Sequence, residues 1–331
     1  MYSKAIENMN DSSLKTIISY ARLAPSVHNT QPWRYEIGEN SITVHPEPSR
    51  LLDDGDPTGR ESWITFGVGV ETLLMSGRAL GYDCSIERLQ TQSLHQPIAT
   101  IKVVKNNTSH DQATLHTLET RHTYRGHFSD STVHTDIVAA CKKSIDDLTS
   151  TQLHVIKDRD SIHSVAKLTF KGMSLALSAP AFRKELAELI NVNWSPRKVG
   201  MHGYVLNFGT FGSLWEKYSM KFGLELRKKA VADQQKIDNA QVLLFIGTKG
   251  DVPHFWFDAG RAYMRIAIVL TKHGVSHSTI AAPVEAADFH KDIEAMIGTT
   301  DRLQTMMRIG IAQKPLQKQS PRLDVEELLV K

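Results

Sequence analysis

Two long apolar stretches in this 331-residue chain repeat one another. The run Trp63-Ile64-Thr65-Phe66-Gly67, continued to Gly81, aligns without gaps to Trp256-Phe257-Asp258-Ala259-Gly260, continued to Gly274. The tryptophan, the internal glycine and the terminal glycine fall at the same spacing in both. Apolar side chains occupy more than one helical face in each: Val68, Val70, Leu73, Leu74 and Leu80 in one, Ala262, Met264, Ile266, Ile268, Val269 and Leu270 in the other. Helices of that kind must be covered on several sides and belong in the interior. Gly67 and Gly260 cost helix propensity, which close approach of two helix backbones would explain. The expectation is a duplicated α+β unit with the paired helices as its spine, inside sheets that are surrounded by other helices.

The remaining periodicity fills in that plan. The first half predicts a helix over 12–23, strands over 33–37 and 41–45, a helix over 61–80, and strands over 83–89 and 98–104. Tyr35-Glu36-Ile37 and Ile42-Thr43-Val44 flank Gly38-Glu39-Asn40, a hairpin signal. The second half predicts helices over 111–120, 132–148, 160–177, 254–273 and 286–297, with helical segments around 180–191 and 211–236. Its strands fall at 151–157, 241–247, 275–281 and 306–311. A polar junction at 105–111 divides the chain into modules 1–110 and 111–331, which share too large a core to move freely. Residues 192–212 have no clear period and include Gly200, Gly203, Gly209 and Gly212. They form either a pocket cover or a packing loop.

Composition narrows the function. At 41% hydrophobic and 23% charged the chain is ordinary for a soluble globular protein. A net charge of +3 is too small to argue for nucleic acid, and Arg227-Lys228-Lys229 reads as a solvated helix face. No apolar run is long enough to cross a bilayer, so no membrane partner is expected. Residues 1–14 are polar, with Glu7 and Asp11, and contain no signal-peptide core. Cys84 and Cys141 are the two cysteines, without CxxC spacing, which favours a reducing cytoplasm. The fifteen histidines form no HExxH, and Gly274 separates His273 from His277, so no metal is expected.

The chemistry concentrates in two places. Ala24-Pro25-Ser26-Val27-His28-Asn29-Thr30-Gln31-Pro32-Trp33 is a polar turn between a helix and a strand, with two prolines limiting its backbone. Ser26, His28, Asn29 and Gln31 supply donors and acceptors that would either close a helix cap and turn or grip a flat polar ligand. Arg121-His122-Thr123-Tyr124-Arg125 places two arginines four apart around a hydroxyl. They would either pair with local carboxylates or converge on a phosphate, to which guanidinium forks are well matched. Arg322 follows Gln319-Ser320-Pro321 in a polar tail that would ordinarily fray.

Taken together these segments resemble the nitroreductase family. The turn at 24–33 looks like the family's P-S-x-x-N-x-Q-P-W turn. Leu51 to Arg60, the helix ending Gly81-Tyr82, Arg121 to Phe128, Ala282-Pro283-Val284-Glu285-Ala286, Arg308-Ile309-Gly310 and Ser320-Pro321-Arg322 carry the likeness along nearly the whole chain. The chain is similar to a fused, two-module mycobacterial subgroup, in which one chain resembles the family's usual dimer. The resemblance implies a nitroreductase-like fold, duplicated as a single-chain pseudo-dimer with mixed β-sheets, either monomeric or a weak homodimer. It also implies bound FMN. Arg121 and Arg322 then take the phosphate-binding arginines, and Thr123 the nearby serine. Ser26 and Asn29 take the serine and asparagine of the turn supplied by the other half. Glu285 takes the glutamate of the P-I-E-G segment, whose backbone lies near the flavin N5. Ala286 stands at its glycine, still able to donate through its amide if its φ is negative.

The second half has no copy of the turn; Ser178-Ala179-Pro180-Ala181-Phe182 is the nearest stretch and lacks the amide side chains. The first half has no counterpart of the arginine pair. One composite site per chain is therefore expected. By resemblance the chain is an FMN-dependent NAD(P)H oxidoreductase acting on nitroaromatics, quinones or similar electrophiles, with no side chain required as acid or base. His28 is either a supporting hydrogen-bonder or a proton donor. The alternative is an FMN-binding or flavin-sequestering protein with little turnover.

Overall fold

The structure, a computed structural model, describes residues 11–88, 93–106, 109–314 and 318–330. Most of the N-terminal stretch read as lacking a signal core, part of the 105–111 junction and position 89 of an expected strand lie outside the described residues.

Helix α1 (Asp11–Ala21) buries its Leu14, Ile17, Ile18 and Ala21 stripe and leads through the 24–32 turn into β1 (Trp33–Gly38). The hairpin to β2 (Ser41–Pro46) closes at Glu39-Asn40, with Gly38 paired to Ser41 and Asn40 at φ 57°. Helix α2 (Arg60–Ala79) then crosses the interior, followed by β3 (Tyr82–Arg88) and β4 (Ala99–Lys105). Asp56 caps α2, its two carboxylate oxygens accepting from the amides of Glu61 (3.0 Å) and Ser62 (2.7 Å).

The second half begins with α3 (Gln112–Thr120), α4 (Thr135–Lys143) and β5 (Thr151–Ile156). A helical excursion follows, comprising α5 (Arg159–Ser178), α6 (Pro180–Leu189), the short parallel pair β6 (Ile190–Asn191) and β7 (Met201–His202), α7 (Thr210–Lys221) and α8 (Leu226–Asp238). Helices α7 and α8 are separated at Gly223 (φ 69°) and Glu225 (φ 56°), which divides the helical stretch expected at 211–236. The chain returns through β8 (Val242–Thr248), α9 (Pro253–Lys272), β9 (Ser276–Thr279), α10 (Ala282–Glu285), α11 (Phe289–Ile297) and β10 (Arg302–Gly310), and ends in α12 (Val325–Leu328).

The fold is α+β and its two halves share one plan. The first sheet has the order β1-β2-β4-β3 and the second β5-β8-β10-β9, so each half runs strand, strand, buried helix, strand, strand into the same arrangement. Expected as mixed, both four-stranded sheets pair antiparallel throughout; among the described residues, parallel pairing is confined to β6–β7 and to single bridges at Tyr35–Leu329 and Thr123–His277. Each bridge joins a main strand, β1 or β9, to a residue outside the eight, and sequence periodicity carries no strand direction.

Helices α2 and α9 pack against each other at the centre. A Cβ built on Gly67 would lie 2.0 Å from the Phe257 carbonyl oxygen, and one on Gly260 1.9 Å from that of Ile64. Since Gly67 matches Gly260 and Ile64 matches Phe257 in the sequence repeat, the contact is reciprocal, as across a two-fold axis. One large core draws side chains from both sheets, both central helices and α12. The C-terminal tail crosses to the first half, where Leu329 bridges Tyr35 beside β1 and the Val330 amide donates to the Tyr35 carbonyl at 2.9 Å.

Candidate functional site

The 24–32 turn is a strained piece of backbone. His28, Asn29 and Gln31 have φ of 48°, 59° and 51°, the left-handed region that side chains rarely occupy. Ser26 closes the turn by accepting the Gln31 amide at 2.9 Å, the structural role expected of a turn serine. Two distant segments hold the rest. The Asn29 Nδ2 lies within hydrogen-bond range of the carbonyls of Lys198 (2.9 Å), Gly200 (3.0 Å) and Pro321 (3.1 Å), while its Oδ1 accepts from Arg322 at 2.7 Å. Gln31 donates to the Lys198 carbonyl at 3.0 Å and accepts the Leu323 amide at 2.8 Å. Strain of this kind persists where surroundings over-determine it and clusters at ligand clamps.

Beside the turn lies a cleft. Ser26, Asn29, Arg121, Thr123 and Arg322, five of the seven residues expected at a site, line it together. Arg121 follows α3 directly, and the stretch to Tyr124 runs extended along β9: Thr123 bridges His277, and the Tyr124 amide donates to the His277 carbonyl at 2.9 Å. Arg322 arrives on the C-terminal tail, which is tied down rather than frayed. Arg22 donates to the Leu323 carbonyl at 3.0 Å, and Lys198 reaches both Asp324 and Glu327 at 2.6 Å.

The cleft's electrostatics are one-sided. Arg121, Arg125, Arg322 and Lys318 line it, and among the described residues no Asp or Glu does. Arg121 is 4% exposed, and its Nε and Nη1 have no hydrogen-bond partner; neither does the buried Nε of Arg322. Burial first, then the charges of Arg121, Arg125 and Arg22, hold Arg322 down to about 9. Burial likewise lowers Arg121 and Arg125. His277, 1% exposed and without a partner for either ring nitrogen, is pushed down to about 3 by burial and by neighbouring Arg121 and His122. Buried guanidinium N–H groups without acceptors, gathered with no carboxylate, fit a bound anion with several oxygens. The salt-bridge reading of the 121–125 pair is not supported by any carboxylate among the cleft residues.

Glu285 and Ala286 are not among the cleft-lining residues. Glu285 accepts from Arg60 at 2.9 Å, in a buried group where Arg60 also meets Glu61 at 2.9 Å. Burial and the adjacent Glu285 push the Glu61 carboxyl well above the usual range. The φ of Ala286 is negative (−77°), but its amide donates to the Ala282 carbonyl at 3.0 Å and is engaged at the end of α10. The free-donor role expected of it is corrected accordingly; the left-handed residue here is Ala287, with φ 47°. His28 connects the two regions. Its pKa falls to about 4 through burial and the charge of Arg125, against the opposing pull of Glu285. It is neutral near pH 7, which counts against a protonated donor.

Sequence reasoning named Arg125 within the arginine pair but did not carry it to the site, and it missed Lys318. The four-residue spacing to Arg121 was the available signal for Arg125; Lys318 had none. Val205 and Asn207 of the 192–212 segment also wall the cleft, so this segment borders it. Of the aromatics in this segment, Phe211 is 85% exposed and Trp194 58% exposed, and both face solvent. The topological counterpart of the 24–32 turn is 144–150, between α4 and β5. Ser178–Phe182 instead joins α5 to α6.

No family model matches the chain. It is 32% identical over 91 residues to a protein of Mycobacterium tuberculosis (strain ATCC 25618 / H37Rv) called "Putative NAD(P)H nitroreductase Rv3131", a match covering 28% of this chain and 26% of that one. The matched stretch thus spans about a quarter of that relative's length. A longer match, 23% identical over 307 residues, covers 90% of this chain and 87% of "Uncharacterized protein Rv3127" from the same strain. Among solved structures, a mutant of the FMN and NADPH-dependent nitroreductase NfnB from sphigopyxis sp. strain HMH aligns with 66% of this chain and 98% of its own, at 17% identity and a TM-score of 0.44. The similarity to nitroreductase-like proteins read from the motifs is borne out by these relatives.

Proposed function

From a chain that resembles the nitroreductase family, we propose an FMN-dependent NAD(P)H oxidoreductase with one composite site, shared between modules 1–110 and 111–331. The carrying observation is the cleft in which Arg121, Arg125 and Arg322 converge without a carboxylate and with buried N–H groups lacking acceptors. These guanidiniums would hold the FMN phosphate, with Thr123 as a neutral donor and Ser26 and Asn29 forming the wall from the other half. FMN, when bound, supplies hydride chemistry between a nicotinamide and an electrophile such as a nitroaromatic or quinone. The chain's own task is to bind and orient. The arginines fix the anionic end, and the strained turn is preset by the 198–200 carbonyls and the tail, so little ordering remains on binding. Neutral His28 beside Glu285 serves as a supporting hydrogen-bonder.

A second reading, flavin sequestration with little turnover, is favoured by one feature. The tail residues Lys318, Gln319, Ser320 and Arg322 and the loop residues Val205 and Asn207 wall the same cleft, and the side-chain amides of Asn29 and Gln31 are committed to protein carbonyls. The absorption spectrum of freshly purified protein separates these readings. Flavin bands with release of FMN on denaturation are expected, and bleaching by NADH or NADPH identifies the oxidoreductase. Flavin that stays oxidised with either nicotinamide identifies the store, and a chain that neither carries nor binds FMN rejects both.

A further inference from the structure

Helix α7 is built with its aromatic side chains facing out. Phe211, Trp215, Tyr218 and the capping Phe222 follow at i, i+4, i+7 and i+11, within about 60° of one another at 100° per residue. They are 85%, 54%, 49% and 65% exposed. The opposite face is buried by Ser213 and Met220, and Ser219 is buried along the side. Packing a helix through serines while leaving four aromatics in water is the reverse of a globular helix, and marks an interaction face.

Charge decides what covers that face. Residues 180–229 carry nine Lys and Arg against four Glu and no Asp, in a chain whose totals are 39 and 36. Lys217 caps α6 through the carbonyls of Ala187 (3.0 Å) and Ile190 (2.9 Å), and the charges of Arg197 and Lys221 lie close enough to act on it. Exposed Lys221 and Arg227 flank the C-terminal end of the stripe. A symmetric contact with a second copy would set this basic surface against itself. Glu225 accepts from the Trp215 indole at 3.1 Å and pairs with Lys228, and Lys229 pairs with Glu216, which leaves Lys221 and Arg227 as the exposed charges beside the rings. Indole, phenol and phenyl rings with such cations at one end match a lipid interface, where rings sit at headgroup level and cations meet anionic headgroups. We propose that the outer face of α7 docks on the surface of an anionic lipid bilayer. No bilayer-crossing segment is needed, so the absence of long apolar runs, which led the sequence reading to set membranes aside, does not bear on it. The proposal is also independent of what occupies the cleft.

The full chain is mixed with vesicles of phosphatidylcholine alone and of phosphatidylcholine with phosphatidylglycerol, then sedimented. Pelleting with the anionic vesicles, reduced by added salt, is expected. Replacing Lys221→Ala or Arg227→Ala should each lower partitioning about fivefold, and Phe211→Ser with Phe222→Ser should abolish it while the circular dichroism spectrum is unchanged. Should that double variant not fold, quenching of Trp215 by brominated lipid decides: quenching lost in Trp215→Phe supports docking, and no quenching overturns it. Absence of pelleting, or pelleting indifferent to the aromatic variants and competed by polyglutamate, overturns the proposal. So does a vesicle-free dimer that Phe211→Ser dissociates, because a second copy would then cover the face.

Discussion

The turn at 24–32 and the stretch at 144–150 hold equivalent places, each leading from a helix to the first strand of a four-stranded sheet. Their construction is opposite. The second is closed by its own backbone, since the Leu148 amide donates to the Ile145 carbonyl at 2.9 Å and the Thr151 amide to Leu148 at 2.8 Å, and no residue in it has positive φ. Its long-range contacts, from Arg265 to Asp147 and to the Ser144 carbonyl (3.3 Å) and from Ser150 to Asp258 (2.8 Å), secure a turn that is already unstrained. The first has three left-handed residues and relies on carbonyls more than 160 positions away. A turn without backbone strain would close in much the same shape with or without its long-range contacts. A turn that must be held can keep a strained shape, and that shape is what a preorganised binding wall requires. The asymmetry of the arginines runs the other way, since Arg121, Arg125 and Arg322 all belong to the second half of the sequence.

The largest expected effect tests the symmetry that makes this comparison meaningful. Gly260→Ala, placing a methyl 1.9 Å from a backbone carbonyl, should destabilise the chain by about 3 kcal/mol or more in urea unfolding. Gly67→Ala should match it, and a loss under 1 kcal/mol at either position would remove the reciprocal crossing. Next comes the asymmetry itself. Arg121→Ala and Arg322→Ala should each weaken FMN binding by about 1.5–3 kcal/mol in calorimetric titration. The ligand-free Arg121 variant should keep or gain stability, because buried N–H groups without partners are removed. Unchanged affinity with an intact fold would take the arginine out of the site.

A third test places one histidine in each half. His28 (about 4) and His277 (about 3) have folded pKa values below the ordinary 6.5. The unfolded chain therefore binds protons more readily between those values. The stability each neutral ring contributes is present above pH 6.5 and is lost as pH falls toward 4 and 3. Between pH 7 and 5 the protein should lose about 2 kcal/mol per histidine. His28→Asn and His277→Asn should each flatten that dependence in denaturant melts; an unflattened profile in either would place that ring in solvent. The smallest expected effect is a control. Thr149→Ala, in the unstrained stretch, should change stability by under about 0.5 kcal/mol and leave FMN affinity untouched, whereas any loss of affinity would give the second half's counterpart of the turn a share in the wall.

How legible this molecule is from its sequence depends on where each residue's partner comes from. The spine was readable because α2 and α9 repeat one pattern and because glycine inside an apolar helix has few explanations. The beginning of β10 was not, since Gln304 and Thr305 look like loop. They are buried because Gln304 lies within hydrogen-bond range of Arg60 (3.0 Å) and Thr248 (3.0 Å), partners far away in sequence. Ser26, Asn29, Arg121, Thr123 and Arg322 could be selected as a group because chemically distinctive side chains sit in recognisable motifs. The carbonyls of Lys198 and Pro321 that hold Asn29 leave no such trace, as every residue has one. For the same reason the counterpart of the turn was sought by residue likeness at 178–182, while topology puts it at 144–150.

Joining both halves in one chain also changes how the cleft responds to dilution. A site walled by two separate subunits comes apart as their concentration falls, and its occupancy follows the association equilibrium. Here the wall at 24–32 and the arginine at 121 are links of one polymer, with a local concentration at least on the order of the millimolar values of short tethers. The integrity of the cleft becomes a matter of folding alone, and the melting temperature should not depend on protein concentration. Freed from serving two symmetry-related copies of the same site, each half can lose what the other retains.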